Sequence, residues 1–193
     1  MKDRHNRKIN YLRLSVTDKC NLRCIYCMPE AGVPRLRHED ILSVDEIADI
    51  VQACAACGIN KVRITGGEPL VRRGIIEICK RVAETDGISE VCITSNGILI
   101  PKYVNELKSA GVDRLNISLD SLSNVTYNKI TRVDAFNEAL EGIKIALEAG
   151  FFIIKINCVL IGGLNDTEVP ELLDLTRKYK VDVRFIELMP IGE

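Results

Sequence analysis

Residues 11–30 read YLRLSVTDKCNLRCIYCMPE. The first half alternates Leu12, Leu14 and Val16 with Arg13, Ser15 and Thr17, the period-two pattern of a β-strand with one apolar face. The second half places Cys20, Cys24 and Cys27 within eight residues, directly after that strand. A strand running straight into a thiol-rich loop predicts the first βα unit of an α/β fold, because such folds build their sites on loops at the C-terminal ends of strands.

Working outward, the same strand type recurs as KVRIT (61–65), EVCITSN (90–96), RLNISLD (114–120), FIIKINCVL (152–160) and VDVRFIEL (181–188). Helical patterns lie between them. SVDEIADIVQACAACG (43–58) opens on Ser43, with Glu46 completing a capping box, and closes on Gly58. DAFNEALEGIKIALEAG (134–150) closes on Gly150 in the same way. Six strands and five connecting helices predict a parallel α/β domain spanning residues 1–193, an open, partial TIM-like (βα)6 barrel. A doubly wound sheet is the alternative.

The strands say more. A parallel sheet covered on both faces reads as nearly continuous apolar runs. Here one face is polar in every strand, and it carries Arg13, Lys61, Arg63, Lys155 and Arg184. If the sheet curls, these five cations line a wet lumen suited to a polyanion. The competing reading is a solvated face of an open sheet.

Composition narrows the partners. The net charge of −1 supplies no basic surface for nucleic acid or anionic lipid. The polar start MKDRHNRKIN and the lack of long apolar stretches predict a cytoplasmic protein without membrane spans. Its eight cysteines are then reduced, serving as ligands, catalysts or small core residues. Cys54 and Cys57 form a CxxC on a helix and are expected in the core; Cys79, Cys92 and Cys158 are isolated. Only His5 and His38 are available as histidine ligands, His38 being the nearest fourth donor for a zinc site. Three soft thiolates also suit an iron–sulfur cluster that leaves one iron open to chemistry. Lys19 and Arg23, beside the thiols, are expected to favour their ionised forms.

Cys-x3-Cys-x2-Cys with Tyr26 before the third cysteine resembles the cluster motif of radical S-adenosylmethionine (SAM) enzymes, and TGGEP (65–69) resembles their second signature. More closely, LRLSVTDKCNLRCIYCMPE, VRITGGEPLVRR, ITSNG, LNISLDSL, KIN and RFIELMPIG resemble the GTP 3′,8-cyclase family of molybdenum-cofactor biosynthesis. The resemblance implies one [4Fe–4S] cluster on Cys20, Cys24 and Cys27, with SAM contacted by Tyr26, Gly66, Gly67, Ser118 and Met189. It implies GTP held by Arg13, Arg63, Thr94 and Lys155, supported by Lys61 and Arg184. A deoxyadenosyl radical would take hydrogen from the ribose of GTP, and the ribose would then join C8 of guanine. A flavodoxin or ferredoxin is the implied electron donor, and a homodimer is an admissible assembly. Gly66 and Gly67 are expected to let bare backbone approach the cofactor.

The family's C-terminal region, with three further cysteines for a second cluster, has no counterpart in these residues. Cluster and SAM binding are therefore expected to survive more readily than GTP cyclisation. Two rivals share some of the motifs: a radical SAM enzyme acting on a peptide, which has no need of the cationic lumen, and a zinc-stabilised binding module.

Overall fold

The computed structural model describes residues 2–34, 36–37, 40–151 and 153–189; His38, Phe152 and residues 190–193 of the readings above lie outside them. Six strands form one parallel sheet in sequence order: β1 (Tyr11–Ser15), β2 (Lys61–Thr65), β3 (Glu90–Ser95), β4 (Arg114–Ser118), β5 (Ile154–Leu160) and β6 (Val181–Glu187). Among the described residues, no pairing joins β6 back to β1, so the barrel is open along both edge strands. The expected architecture is the one observed.

Helices α1 (Val44–Ala56), α2 (Ile75–Ala83), α3 (Ile100–Ser109), α4 (Asn124–Thr131), α5 (Phe136–Glu148) and α6 (Val169–Lys178) fill the connections. The count corrects the sequence reading by one, because two helices lie between β4 and β5. The missed one, α4, is a short NVTYNKIT run capped by Ser123, whose side chain accepts from Thr126 N–H. Eight residues give too few turns for a helical period to stand out. At α1 the capping box forms in full, Glu46 N–H to Ser43 Oγ at 3.1 Å and Ser43 N–H to the Glu46 carboxylate at 2.7 Å. Gly58 and Gly150 both take the positive φ that ends a helix.

The core lies between sheet and helices. Val62, Ile64, Val91, Ile93, Leu115, Ile117, Ile154 and Ile156 form the helix-facing rows of the four inner strands, all buried. Each contributes roughly 1.5–3 kcal/mol by leaving water. Cys79 and Cys158 are buried here as small apolar residues. Cys54 and Cys57 are not core: Cys54 is half-buried, and Cys57, at the C-cap of α1, is exposed. Among the described residues, no helix is long and apolar enough to cross a membrane.

Candidate active site

Parallel strand order gives the polar face two ends. At the C-terminal end, the loop after β1 carries the three cysteines over the ends of β2, β3 and β4. One pocket there is lined by Arg13, Cys20, Cys24, Tyr26, Cys27, Gly66, Gly67, Thr94 and Ser118 among others. Nine of the fourteen sequence-predicted site residues thus meet in one cavity.

The two glycines are there for the loop. A Cβ at Gly66 would press into Thr17, and one at Gly67 into the carbonyl oxygens of Asp18 and Lys19. Gly67 N–H donates to Thr17 O at 2.7 Å, and Glu68 N–H to Lys19 O at 2.8 Å. Close packing of TGGEP against residues 17–19 requires glycine at both positions, and both also line the pocket.

Glu68 and Asp120 anchor the pocket. Buried Glu68 accepts from Leu70 N–H, Ser95 Oγ–H and Asn96 N–H at 2.7–3.0 Å. Burial raises its pKa to about 7, against the pull of those donors. Asn96 passes the network on, its amide donating to Asn21 at 2.7 Å. Asp120 accepts from Tyr26 O–H and Val159 N–H, both at 2.8 Å, and burial pushes its carboxyl up. Burial, then the Asp120 charge, pushes the Tyr26 phenol up as well. Motif reading quoted TGGEP and the strand end at Asp120 without giving either carboxylate a role. A carboxylate closing the polar row of Asn116 and Ser118 is the signal that marks Asp120; Glu68 lies past the end of β2 and off its polar row, so alternation does not mark it.

The thiols differ from one another. Cys24 S–H donates to the Cys27 sulfur, which brings Cys27 down to about 7; the same bond and burial raise Cys24. Burial raises Cys20 as well. The expected cationic assistance is seen in part: Arg23, whose guanidinium donates to Cys20 O and Leu22 O at 2.7 and 2.8 Å, pulls the Cys20 thiol down against the larger effect of burial, whereas Lys19 is exposed. The loop is fastened from α4, through Arg23 N–H to Thr131 O at 3.0 Å and Ile25 N–H to Ile130 O at 2.9 Å. Arg132, in the left-handed region at φ 57°, adds bonds to Arg23 O and Met28 O at 3.3 and 3.2 Å. Among the described residues, no three His, Cys, Asp or Glu side chains are already gathered into a metal cage. Three soft thiols on one loop, one of them acidified, are nonetheless the donor set an iron–sulfur cluster takes.

The other predicted residues lie away from the pocket. Lys61 pairs with Glu90 at 3.3 Å and Lys155 with Asp182 at 3.0 Å. Arg63 stacks on the Tyr11 ring at 5.3 Å. Arg184 is exposed on edge strand β6, and Met189, past that strand, is 65% exposed. A sixth cation on this face, Arg114, was missed; it sits one pleat before Asn116, where the same alternation would have shown it.

Residues 14–176 match the sequence model of the radical SAM superfamily. The chain belongs to that superfamily. Membership implies a [4Fe–4S] cluster and SAM. The chain is 52% and 53% identical, over its whole length, to the GTP 3′,8-cyclases of Alkaliphilus oremlandii (strain OhILAs) and Alkaliphilus metalliredigens (strain QYMF), and covers 60% of each. It therefore spans about 60% of the length of these curated relatives. The radical SAM fold is matched by Streptococcus suis SuiB bound to S-adenosylmethionine at a TM-score of 0.81 and 21% identity, covering 95% of this chain and 41% of that one.

Proposed function

We propose that the chain is the radical SAM core of a GTP 3′,8-cyclase, holding a [4Fe–4S] cluster on Cys20, Cys24 and Cys27 and acting on GTP in the first step of molybdenum-cofactor biosynthesis. The observation that carries this is a single polar face with a thiol pocket at one end and cations along its length. Identity of 52% and 53% to named cyclases, over 60% of their length, supports the same reading. A peptide-acting enzyme would leave the cations without a purpose.

When bound, the reduced cluster supplies the electron that opens the sulfonium of SAM to a deoxyadenosyl radical. The chain's part is to orient and to shield. Cys27, held down by the Cys24 thiol beside it, would readily supply a thiolate to the cluster. Tyr26, Gly66, Gly67, Ser118 and Met189 contact SAM, with Asp120 fixing the Tyr26 ring. Arg13, Lys61, Arg63, Thr94, Lys155 and Arg184 bind GTP, its phosphates drawn to the cations. Reducing equivalents come from a flavodoxin or ferredoxin.

The test is anaerobic reconstitution with iron and sulfide, followed by SAM cleavage under dithionite, for the native chain and Cys24→Ala. The native chain should take up about four irons and release deoxyadenosine. Cys24→Ala should do neither. About one zinc and no iron would instead establish the binding module, and a brown, cleaving Cys24→Ala would overturn the ligand assignment.

A further inference from the structure

The cationic end of the lumen contains a feature that pairwise ion bridges do not explain. Glu90, the first residue of β3, stands between the first residues of β2 and β4. Its carboxylate takes Arg114 Nη2 on one oxygen at 2.6 Å and Lys61 Nζ on the other at 3.3 Å. Arg114 is largely covered, its side chain 19% exposed. Its guanidinium meets Glu90 at Nη2 and also bonds the Cys92 side chain, leaving Nε outside the ion pair. That Nε is buried without a hydrogen-bond partner, and so is the Nε of Arg63. The two arginines flank Cys92, since Arg63 is in register with Cys92 and Cys92 with Arg114.

Buried guanidinium N–H groups left unpaired are rare, because each forfeits its hydrogen bonds to water. Two of them on either side of one strand call for an oxygen-rich anion, which accepts from a guanidinium edge at good geometry. We infer that Arg114 is a further anion-binding residue of the lumen, and that Glu90 is a positioning residue that turns Arg114 and Lys61 toward the phosphate chain of a nucleoside triphosphate. This rests on the reading of the lumen as a triphosphate site. Six cations, Arg13, Lys61, Arg63, Arg114, Lys155 and Arg184, share this face, and among the described residues only Glu90 and Asp182 form ion pairs with them, Glu68 and Asp120 being held by neutral donors at the other end; the unpaired cations are matched to a polyphosphate.

The experiment is calorimetric titration of the full 193-residue chain with inorganic tripolyphosphate and separately with GTP. Native protein is compared with Arg114→Ala, Arg114→Lys and Glu90→Gln, and thermal melts serve as the fold control. Arg114→Ala should bind tripolyphosphate at least about tenfold more weakly. Arg114→Lys should recover only part of that, since a point charge lacks the fork. It also carries the test should the alanine variant fail to fold. Glu90→Gln is the sharper case. Removing a negative charge should strengthen anion binding if Glu90 is only a counter-ion, whereas a positioning role predicts weaker binding. Stronger binding by Glu90→Gln overturns the positioning role, and native-like binding by Arg114→Ala and Arg114→Lys overturns the anion-site assignment. Native protein that binds neither ligand would instead bring down the triphosphate reading itself.

Discussion

The two ends of the polar face solve opposite problems. At the C-terminal end the buried charged groups are carboxylates, answered by neutral donors: Leu70 and Asn96 N–H and the Ser95 hydroxyl for Glu68, and Tyr26 O–H and Val159 N–H for Asp120. Here burial outweighs hydrogen bonding, so both carboxyls are pushed up. At the other end the groups are cations, partly wet, and answered by too few carboxylates. One end spends hydrogen bonds on rigidity; the other keeps charge in reserve. A framework end should govern stability and a reserve end should govern affinity.

The largest effect expected from that division is at Gly67. Gly67→Ala drives a Cβ into the backbone of Asp18 and Lys19, which no side-chain rotation relieves. It should cost more than about 3 kcal/mol, lowering the melting temperature by roughly 6–12 °C, and should abolish iron loading. Gly162→Ala, with nothing around it, is the control and should stay within about 0.5 kcal/mol. Equal melting of the two variants would mean that the framework end is looser than its packing implies.

Next comes Glu68 and its pH dependence. Its folded pKa of about 7 lies above its ordinary 4.5, so the folded state holds the proton more tightly than the unfolded chain does. The resulting stability is fully present below pH 4.5 and is lost as pH rises through 7, a loss of order 3 kcal/mol. Asp120, also raised, adds a slope of the same sign. Cys27, lowered from 9.0 to about 7, acts in the opposite sense and above this window. Urea unfolding across pH 4.5–7 should show the native slope and a flatter one for Glu68→Gln. The glutamine should also cost about 1–3 kcal/mol at low pH, where its amide faces a backbone N–H. An unchanged slope would show that the Glu68 carboxyl is not the buried proton store.

How much of this division could be read beforehand follows from period and spacing. Alternation in β1, β2 and β5 exposes Arg13, Arg63 and Lys155 at once, because side-chain direction in a strand is fixed by the backbone. The cysteine spacing singles out the thiol loop for the same local reason. The framework residues are harder to read because their roles are made by contacts distant in sequence. Glu68 meets Ser95 and Asn96 across a strand pair, and Tyr26 meets Asp120 from 94 residues away. Arg132 fastens the cysteine loop from the end of a helix whose eight residues carry no clear period. The CxxC of α1 misleads for a related reason: burial at i and i+3 depends on where the helix ends, and Cys57 falls on its C-cap.

The smallest effect on stability belongs to the cationic end. Lys61 and Glu90 are 41% and 23% exposed, and such a pair contributes about 0–1 kcal/mol at most. Glu90 keeps Arg114 when Lys61 is removed, so no buried carboxylate is stranded. Lys61→Ala should therefore shift the melting temperature by less than roughly 3 °C, while tripolyphosphate affinity drops several-fold and the salt dependence of binding weakens. That separation of stability from affinity is what distinguishes a charge held in reserve from one that braces the fold. If Lys61→Ala melts as early as Gly67→Ala, the strand starts belong to the framework as much as the thiol loop does, and the functional contrast between the two ends disappears.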